Sequence, residues 1–318
     1  MNLNDLYLAA VNQGIEKDPR GREFIELELA REKANYEKLS EEEKKSYDPE
    51  RLKHPYRDTR ILHTTGKEEI KSILIGVDIE APELLLADNL RQKGRRIDAV
   101  VAHHPEGRAY AHFFEVMHMQ AEIMNKFGVP INIAEGILDK RIKEVSRRVS
   151  PQNHNRAVDT ARLLDVPYLC LHTPADNQVT TYLQSSFEAK KPRFLDDVVK
   201  ILNEIPEYAK AMNETRGPQI VAGSKEKQAG RVFVDMTGGT EGSTEALEKL
   251  AYSGVGTIVG MHMSDEHLKN AEKFHINVVI AGHISSDNLG LNLLFDAVEN
   301  KFGLLEYIPC SGFYRIRR

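Results

Sequence analysis

Histidine and aspartate residues recur in this sequence directly after short apolar segments. Three such groups stand far apart along the chain, and together they contain His103, His104, His172, Asp176, His283 and Asp287. Asp78 ends an earlier apolar segment. If these segments are parallel strands, their carboxyl ends meet at the edge of the sheet where α/β proteins bind ligands. Three distant strands would then bring imidazole and carboxylate groups to one place.

This set of side chains suits a site for two metal ions. His283 and Asp287 are four residues apart, so they share a face of any helix that begins there and can grip one ion. His103 and His104 are adjacent, and the chain must turn at Pro105 for both to face one site. Imidazole and carboxylate ligands suit zinc, iron, manganese, cobalt or nickel. Two such ions can share a water and produce a metal-bound hydroxide at neutral pH.

Other residues are candidates for binding a substrate. Backbone N–H groups of the glycine-rich turn at Gly238 and Gly239 can hold an anion, although a plain tight turn is the alternative and Glu241 would repel phosphate. His262 follows a further strand and could line the same cleft or lie on the surface. Arg108 is a candidate for binding a substrate anion, against the alternative of an exposed arginine.

The elements that must position these residues alternate along the chain from residue 70, which is typical of parallel sheets covered by helices on both faces. The apolar pattern predicts strands at Ser72–Val77, Ile97–Ala102, Pro130–Ala134, Pro167–Leu171, Gly230–Asp235, Gly256–Val259, Asn277–Ala281, Leu304–Ile308 and Gly312–Ile316. It predicts helices at Pro82–Lys93, Tyr110–Phe127, Asn153–Leu164, Leu195–Ile205, Ser243–Tyr252, Ser264–Phe274 and Ser286–Glu299.

The pattern divides the chain into three parts. Residues 1–62 are predicted to form a helical, charged extension, whose apolar stripe (Leu3, Leu6, Tyr7, Ala10 and Val11) must pack on the protein while its Lys/Glu run stays solvated. Residues 63–185 and 276–318 are predicted to form a metal-binding α/β domain, with the strand at Asn277 returning to the first sheet. Residues 186–275 are predicted to form a second, smaller α/β domain.

Composition narrows the class of protein. The 318 residues carry a formal net charge of −5, which disfavours broad binding to nucleic acid. No apolar segment approaches the length of a membrane span, and the N-terminus lacks the pattern of a signal peptide. Cys170 and Cys310 stand among apolar residues and are predicted to be buried thiols, with a thiolate ligand at Cys170 as the alternative. We therefore expect a cytoplasmic protein.

Four motifs resemble one known family. They are DAVVAHHP at 98–105, HTPAD at 172–176, TGGTEGS at 237–243 and AGHISSD at 281–287. In order and spacing they resemble, over roughly residues 70–318, the dinuclear metal-binding family labelled GTP cyclohydrolase 1 type 2 homologues, also called YbgI-like or NGG-interacting-factor-three-like.

The resemblance implies two interlocked α/β domains, two metal ions per subunit and a homo-oligomer, commonly a hexameric ring. It implies metal ligands at His103, His104, Asp176, His283 and Asp287, with His172 near the site. The chain departs from the family pattern in having Asp287 where glutamate is usual, in lacking tryptophan and in carrying the long N-terminal extension.

Two classes of function compete. The first is a metal-dependent hydrolase that acts on a small phosphorylated or nucleotide-like molecule through a metal-bound hydroxide, the second ion stabilising the developing charge. A DHH-type phosphodiesterase is its enzymatic alternative, although Ala102, rather than an acid, precedes His103. The other class is a non-catalytic metal-binding scaffold.

Overall fold

A computed structural model describes residues 1–66 and 69–318 of the chain. Its strands are β1 Arg60–His63, β2 Ser72–Gly76, β3 Ala99–Ala102, β4 Tyr168–Cys170, β5 Gln219–Ala222, β6 Arg231–Asp235, β7 Val255–Gly260, β8 Asn277–Ile280 and β9 Glu306–Pro309. Its α-helices are α1 Leu3–Glu16, α2 Arg22–Glu37, α3 Glu41–Ser46, α4 Ala81–Gln92, α5 Gly107–His112, α6 Met119–Lys126, α7 Ile131–Val149, α8 Arg156–Leu163, α9 Thr173–Lys190, α10 Leu195–Asn203, α11 Pro206–Glu214, α12 Ala246–Tyr252, α13 Asp265–Lys273 and α14 His283–Phe302. Two short 3₁₀ segments occupy Pro49–Leu52 and Phe113–His118.

The strands form two mostly parallel sheets. The first has the order β1-β4-β3-β2-β9 and the second the order β5-β8-β7-β6. Only the edge strands β1 and β5 run antiparallel to their neighbours. Helices cover both faces of each sheet, which confirms the expected α/β fold with parallel sheets flanked by helices.

Helices α9 and α14 lie between the two sheets and hold them together. Leu291 and Phe295 of α14 pack with Ile73 and Val101 of the first sheet. Farther along α9, Val179, Leu183 and Phe187 pack with buried valines of the second sheet. Residues on the two faces of these helices thus belong to different cores, which is the physical basis of the interlocked arrangement.

The N-terminal extension packs on the first sheet. Asn2 and Asp5 form a capping box that starts α1. The apolar stripe of this helix is buried in the same core as β2, β3 and α14, as its helical spacing predicts. In α2 only Ile25 is buried, so the charged run lies on the solvent side.

Two predicted strands are not strands, and the sheet predicted for a third strand is wrong. Pro130–Ala134 is not a strand, because residues from Ile131 onward place Ala134, Leu138 and Ile142 on one buried face of helix α7. A short apolar run cannot by itself distinguish the two structures. Gly312–Ile316 is not a strand either. The backbone N–H groups of Tyr314 and Ile316 instead donate to side chains of Asn288 and Asn292 on α14.

The third error concerns β8. The strand after residue 276 does not return to the first sheet but pairs with β7 and β5 in the second. The helix that follows it, α14, is the element that crosses back to the first sheet. No described helix combines the length and the apolar character that crossing a membrane requires.

Candidate metal centre and its cleft

His103 stands at the carboxyl end of β3 and is fully buried. Its Nδ1 lies 3.2 Å from the carbonyl oxygen of Leu171, to which it donates. The opposite ring nitrogen, Nε2, lies 3.4 Å from Oδ1 of Asp176 and 3.4 Å from Oδ1 of Asp287. The hydrogen bond to Leu171 therefore turns the unshared nitrogen toward two carboxylates.

His104 is oriented in the same way by a carboxylate. Its Nδ1 lies 2.6 Å from Oδ1 of Asp78, the residue that follows β2 by two positions. Its Nε2 lies 3.7 Å from Oδ2 of Asp287. The rings of His103 and His104 are 5.1 Å apart, so the turn at the strand end does bring both to one side.

Asp176 lies in the first turn of α9, which begins after β4 with Pro174 in its first turn. Proline is favoured there because its missing N–H has no partner within the helix. His172 precedes this helix, and its Nε2 lies 3.7 Å from Oδ2 of Asp176. Asp176 and His172 are both more than nine-tenths buried.

Asp287 comes from the opposite direction, in the first turns of α14. The helix is preceded by Gly282, whose φ of +111° is open to glycine and not to other residues. His283 Nε2 lies 3.6 Å from Oδ2 of Asp287, as expected for residues one helical turn apart. The side chain of Asp287 is fully buried, whereas that of His283 is 40% exposed.

The residues present fit a pair of metal ions. His103 Nε2 and both carboxylate oxygens of Asp287 are buried and lack hydrogen-bond partners among the described residues. His103 and Asp287 belong to groups of three residues whose potential ligand atoms all lie within 4.8 Å of one another. Two ligands at 2.0–2.2 Å from one tetrahedral ion are about 3.3–3.6 Å apart, close to the separations found here. Leaving such atoms unpaired is costly, and a cation would satisfy them.

Two of the groups of possible metal ligands have the carboxylate of Asp287 in common. His103, Asp176 and Asp287 form one group, and His104, His283 and Asp287 form the other. Asp287 belongs to both, since Oδ1 faces His103 and Oδ2 faces His104 and His283. The arrangement suits a bridging role for this carboxylate.

The electrostatics of the cluster indicate a need for positive charge. Burial lowers the pKa of His103, but the carboxylates of Asp287 and Asp176 outweigh burial and raise that pKa well above its ordinary value. Burial would raise the pKa of Asp287, yet the surrounding histidines lower it. The centre therefore favours cationic imidazoles beside carboxylates, or metal ions in place of the protons.

A cleft of about 410 Å³ opens over this cluster. One wall carries His104, His172 and His283, and the opposite wall comes from the second sheet, with Asp235, Glu241 and His262 among its residues. Tyr110 and Phe113 also line it, and their rings stack 5.4 Å apart with an angle of 6°. No lysine or arginine lines this cleft within residues 1–66 and 69–318.

The second-sheet wall holds a carboxylate between two histidines. Nδ1 of His262 and of His267 each lie 3.6 Å from a carboxylate oxygen of Glu241. The nearby His262 imidazole lowers the pKa of Glu241 to about 2, and the Glu241 carboxylate raises the pKa of His262. Asp235 is exposed at the cleft, and partial desolvation by the protein packed around it raises its pKa to about 6.

The substrate-binding candidates have different positions. His262 lines the cleft, and its ring lies 5.0 Å from that of His283. Gly239 lines the cleft, whereas Gly238 packs against Gln120, which donates to its carbonyl oxygen at 2.7 Å. Both glycines have positive φ, so the turn has the conformation of a tight turn. Arg108 points away, with Nη2 3.5 Å from Oδ2 of Asp48.

The cysteines are free thiols. Cys170 is fully buried with its thiol near the carbonyl oxygen of Asp58, and burial raises the pKa of this thiol to about 12. It belongs to none of the groups that could hold an ion among the described residues. Cys310, which directly follows the edge strand β9, is only half-buried.

Sequence reasoning missed two kinds of residue at the site. Asp235 ends β6, so the rule that ligands lie at the carboxyl ends of parallel strands would have found it. Asp58 has no such signal. It lies in the irregular segment before β1, where it is fully buried and accepts a hydrogen bond from Nδ1 of His172 at 2.7 Å. Burial would raise the pKa of Asp58, but His172 and Thr173 lower it.

The chain is similar to solved structures that share this architecture. A NIF3 superfamily protein from Sphaerobacter thermophilus is 29% identical, with a TM-score of 0.69 over 80% of this chain and 91% of that one. Reduced HcgD from Methanocaldococcus jannaschii is 16% identical, with a TM-score of 0.49 over 79% of this chain and 87% of the other. No protein-family model and no curated protein sequence matches the chain.

Fold and site together define an α/β protein of two linked parallel sheets with a buried histidine and aspartate cluster compatible with metal. The NIF3 superfamily protein of known structure to which the chain is 29% identical agrees with the family resemblance that the four motifs predicted.

Proposed function

We propose that this protein binds two divalent transition-metal ions and uses them to hydrolyse a small, nucleotide-like substrate. The observation that carries the proposal is Asp287, a fully buried carboxylate whose two oxygens have no hydrogen-bond partner in the described chain and face histidines on opposite sides. The proposed ligands are His103, His104, Asp176, His283 and Asp287. Nitrogen and oxygen ligands of this kind suit zinc, iron, manganese, cobalt or nickel.

Bound divalent ions supply Lewis acidity and lower the pKa of water. The protein's own residues orient the ligands and shape the cleft. Asp78 and the carbonyl oxygen of Leu171 each fix one imidazole through Nδ1, which leaves Nε2 free to bind. His283 is the most open of the proposed ligands, so substrate can approach from its side.

The lining of the cleft restricts the substrate. Stacked Tyr110 and Phe113 offer a flat surface for a planar ring, and Asp235 and Glu241 offer acceptors for its N–H groups. A phosphate group would find no lysine or arginine in this part of the described structure and would depend mainly on the metal ions for its binding. We therefore propose a nucleotide-like molecule rather than a simple phosphoester.

Metal analysis followed by a hydrolysis screen tests the proposal. Protein reconstituted with zinc, manganese or iron should contain about two ions per chain, as paired-metal hydrolases do. His103→Ala and His283→Ala should both lower this content while the fold persists. The loaded protein should hydrolyse members of a nucleotide panel and not simple phosphoesters. Absence of metal after reconstitution would refute the site, whereas bound metal without turnover across the panel would favour a metal-binding scaffold.

We further propose that the chain forms a homo-oligomer, a hexameric ring by resemblance to the family, and that it works in the cytoplasm. Two free thiols support a reducing compartment. Light scattering of the purified full chain gives the oligomer mass directly, and a monomer would contradict the first of these proposals.

A further inference from the structure

The imidazole of His172 is held by a carboxylate from the N-terminal extension. Oδ2 of Asp58 accepts from Nδ1 of His172 at 2.7 Å and from the hydroxyl of Thr173 at 2.6 Å. Asp58 is fully buried, and its position is fixed by its neighbour Thr59. The Thr59 hydroxyl accepts from the backbone N–H of His172 at 3.2 Å, and the Thr59 carbonyl accepts from Tyr7 of α1.

The same pattern occurs at two of the proposed metal ligands. His103 and His104 each have Nδ1 bound to an oxygen acceptor, while Nε2 faces the carboxylates of the centre. An acceptor at Nδ1 requires the hydrogen there, so the Nε2 lone pair is free. Metal-binding histidines generally show this arrangement, with the outer acceptor fixing both the tautomer and the ring orientation.

The Nε2 of His172 points to the same place. It lies 3.7 Å from Oδ2 of Asp176, and the His172 ring is 4.9 Å from that of His103. Ligand atoms of His103, His104 and His172 all lie within 4.8 Å of one another, so the three imidazoles form a group that can hold one ion. His172 also lines the cleft.

We propose that His172 is a further metal ligand, bound through Nε2, and that Asp58 is the positioning residue that presents it. This inference rests on the proposed metal site. It assigns the N-terminal extension a role at that site, because α1 and the segment after it hold the carboxylate that selects the tautomer of His172.

Cobalt(II) binding to the full-length metal-free chain tests the proposal, with affinity and the visible absorption spectrum as readouts. The His172→Ala variant should bind one of the two cobalt(II) ions at least 10-fold more weakly. Its visible ligand-field bands should also differ from those of the wild type. Asp58→Asn should weaken the same ion about 10–100-fold, the range for residues that orient ligands. An asparagine can turn its NH₂ toward Nδ1, which favours the tautomer with hydrogen on Nε2 and so blocks that nitrogen.

Asp48→Asn is the matched control. Asp48 is also a buried acid of the extension, but it pairs with Arg60 and Arg108 and touches none of the proposed ligands. Affinity and spectrum should stay at wild-type values in this variant. If Asp58→Asn fails to fold, His172→Gln replaces it, since glutamine can still donate to Asp58 while lacking the imidazole.

The outcomes separate the two proposals. Wild-type protein that binds no cobalt(II) contradicts the metal site itself and this inference with it. Wild-type binding of two ions, together with unchanged affinity and spectrum in His172→Ala, overturns only the assignment of His172 as a ligand. An unchanged spectrum with a small loss of affinity also overturns it, because His172 would then act outside the ligand set.

Discussion

Gly290 of α14 lies directly against the backbone of Ala175 of α9. A Cβ added to Gly290 would stand 2.5 Å from the carbonyl oxygen of Ala175, closer than side chains approach backbone oxygen. These two helices carry Asp176 and Asp287 near their N-termini. Close contact between the helix axes therefore allows both carboxylates to reach His103.

Gly290→Ala should separate the helices and damage fold and centre together. We expect a loss of about 1–3 kcal/mol in the free energy of unfolding, typical of overpacking, with lower metal content in the folded fraction. Chemical denaturation and metal analysis measure both effects. Gly136→Ala in α7 is the control, because a Cβ there meets nothing within 4 Å and alanine favours the helix. Equal free energies of unfolding for the two variants would show that the contact between α9 and α14 has room for a methyl group.

Loss of Asp287 should remove more metal than loss of Asp176. Asp287 belongs to two of the groups that can hold an ion, whereas Asp176 belongs to one. We expect Asp287→Ala to retain less than about one ion per chain and Asp176→Ala to retain about one, on the basis of a paired-metal site. Elemental analysis of both variants after identical reconstitution decides the point. Equal losses would contradict a bridging carboxylate.

Asp78→Asn should weaken metal binding without removing a ligand. The carboxylate holds Nδ1 of His104 at 2.6 Å, and an amide in its place is a weaker acceptor that can also turn its NH₂ toward Nδ1 and favour the wrong tautomer. Replacement of such outer residues typically lowers metal affinity about 10–100-fold. Titration with zinc and a competing chelator measures the change, with Asp88→Asn on the exposed face of α4 as the control. Wild-type affinity in Asp78→Asn would mean that packing alone orients His104.

The stability of the metal-free protein should depend on Asp235. Asp235 is exposed at the cleft, but desolvation by the surrounding protein raises the pKa of its carboxyl from 3.8 to about 6, so the folded chain holds its proton over a range in which the unfolded chain has lost it. The free energy of unfolding therefore falls as pH rises between these values. Asp235→Asn removes that dependence, so its melting temperature relative to wild type should rise from pH 4 to pH 7. A constant difference across this range would contradict the shifted pKa.

The N-terminal helix should contribute to global stability. Leu6 is fully buried in the core shared with β2 and α14, so Leu6→Ala should cost about 2–5 kcal/mol in the free energy of unfolding. Leu27 on α2 is 66% exposed, and Leu27→Ala should change stability by less than about 0.5 kcal/mol. Urea denaturation compares the two. A small effect of Leu6→Ala would mean that the helix is dispensable for folding.

The sequence predicted the residues that stand at strand ends. His103, Asp176 and Asp287 are brought together because parallel strands place their carboxyl ends at one edge, a rule that needs no knowledge of the partner strands. The sequence did not predict correctly the sheet to which every strand belongs. Strand β8 was assigned to the wrong sheet because its short buried sequence is equally suitable for either core.

Helix α9 and Asp58 could not be predicted for other reasons. The start of α9 is buried on all sides, including Asn177, Gln178 and Thr180, so it has no polar face to reveal a helical period. Asp58 lies in a segment rich in charge and proline, where an acid is ordinarily solvated. Its carboxylate is enclosed through contacts with His172 and Thr173, and such long-range contacts leave no local pattern.

The partnership between Asp58 and His172 joins positions 114 residues apart in the chain. Asp287, on α14, comes 115 residues later still. During synthesis on a ribosome, Asp58 and His172 therefore emerge long before Asp287. The complete cluster of ligand atoms cannot form until α14 has been synthesised. Contacts of such high sequence separation form slowly. If the proposed metal site forms, metal capture is consequently a late event in biogenesis, and metal uptake by a nascent chain would report that synthesis has passed α14.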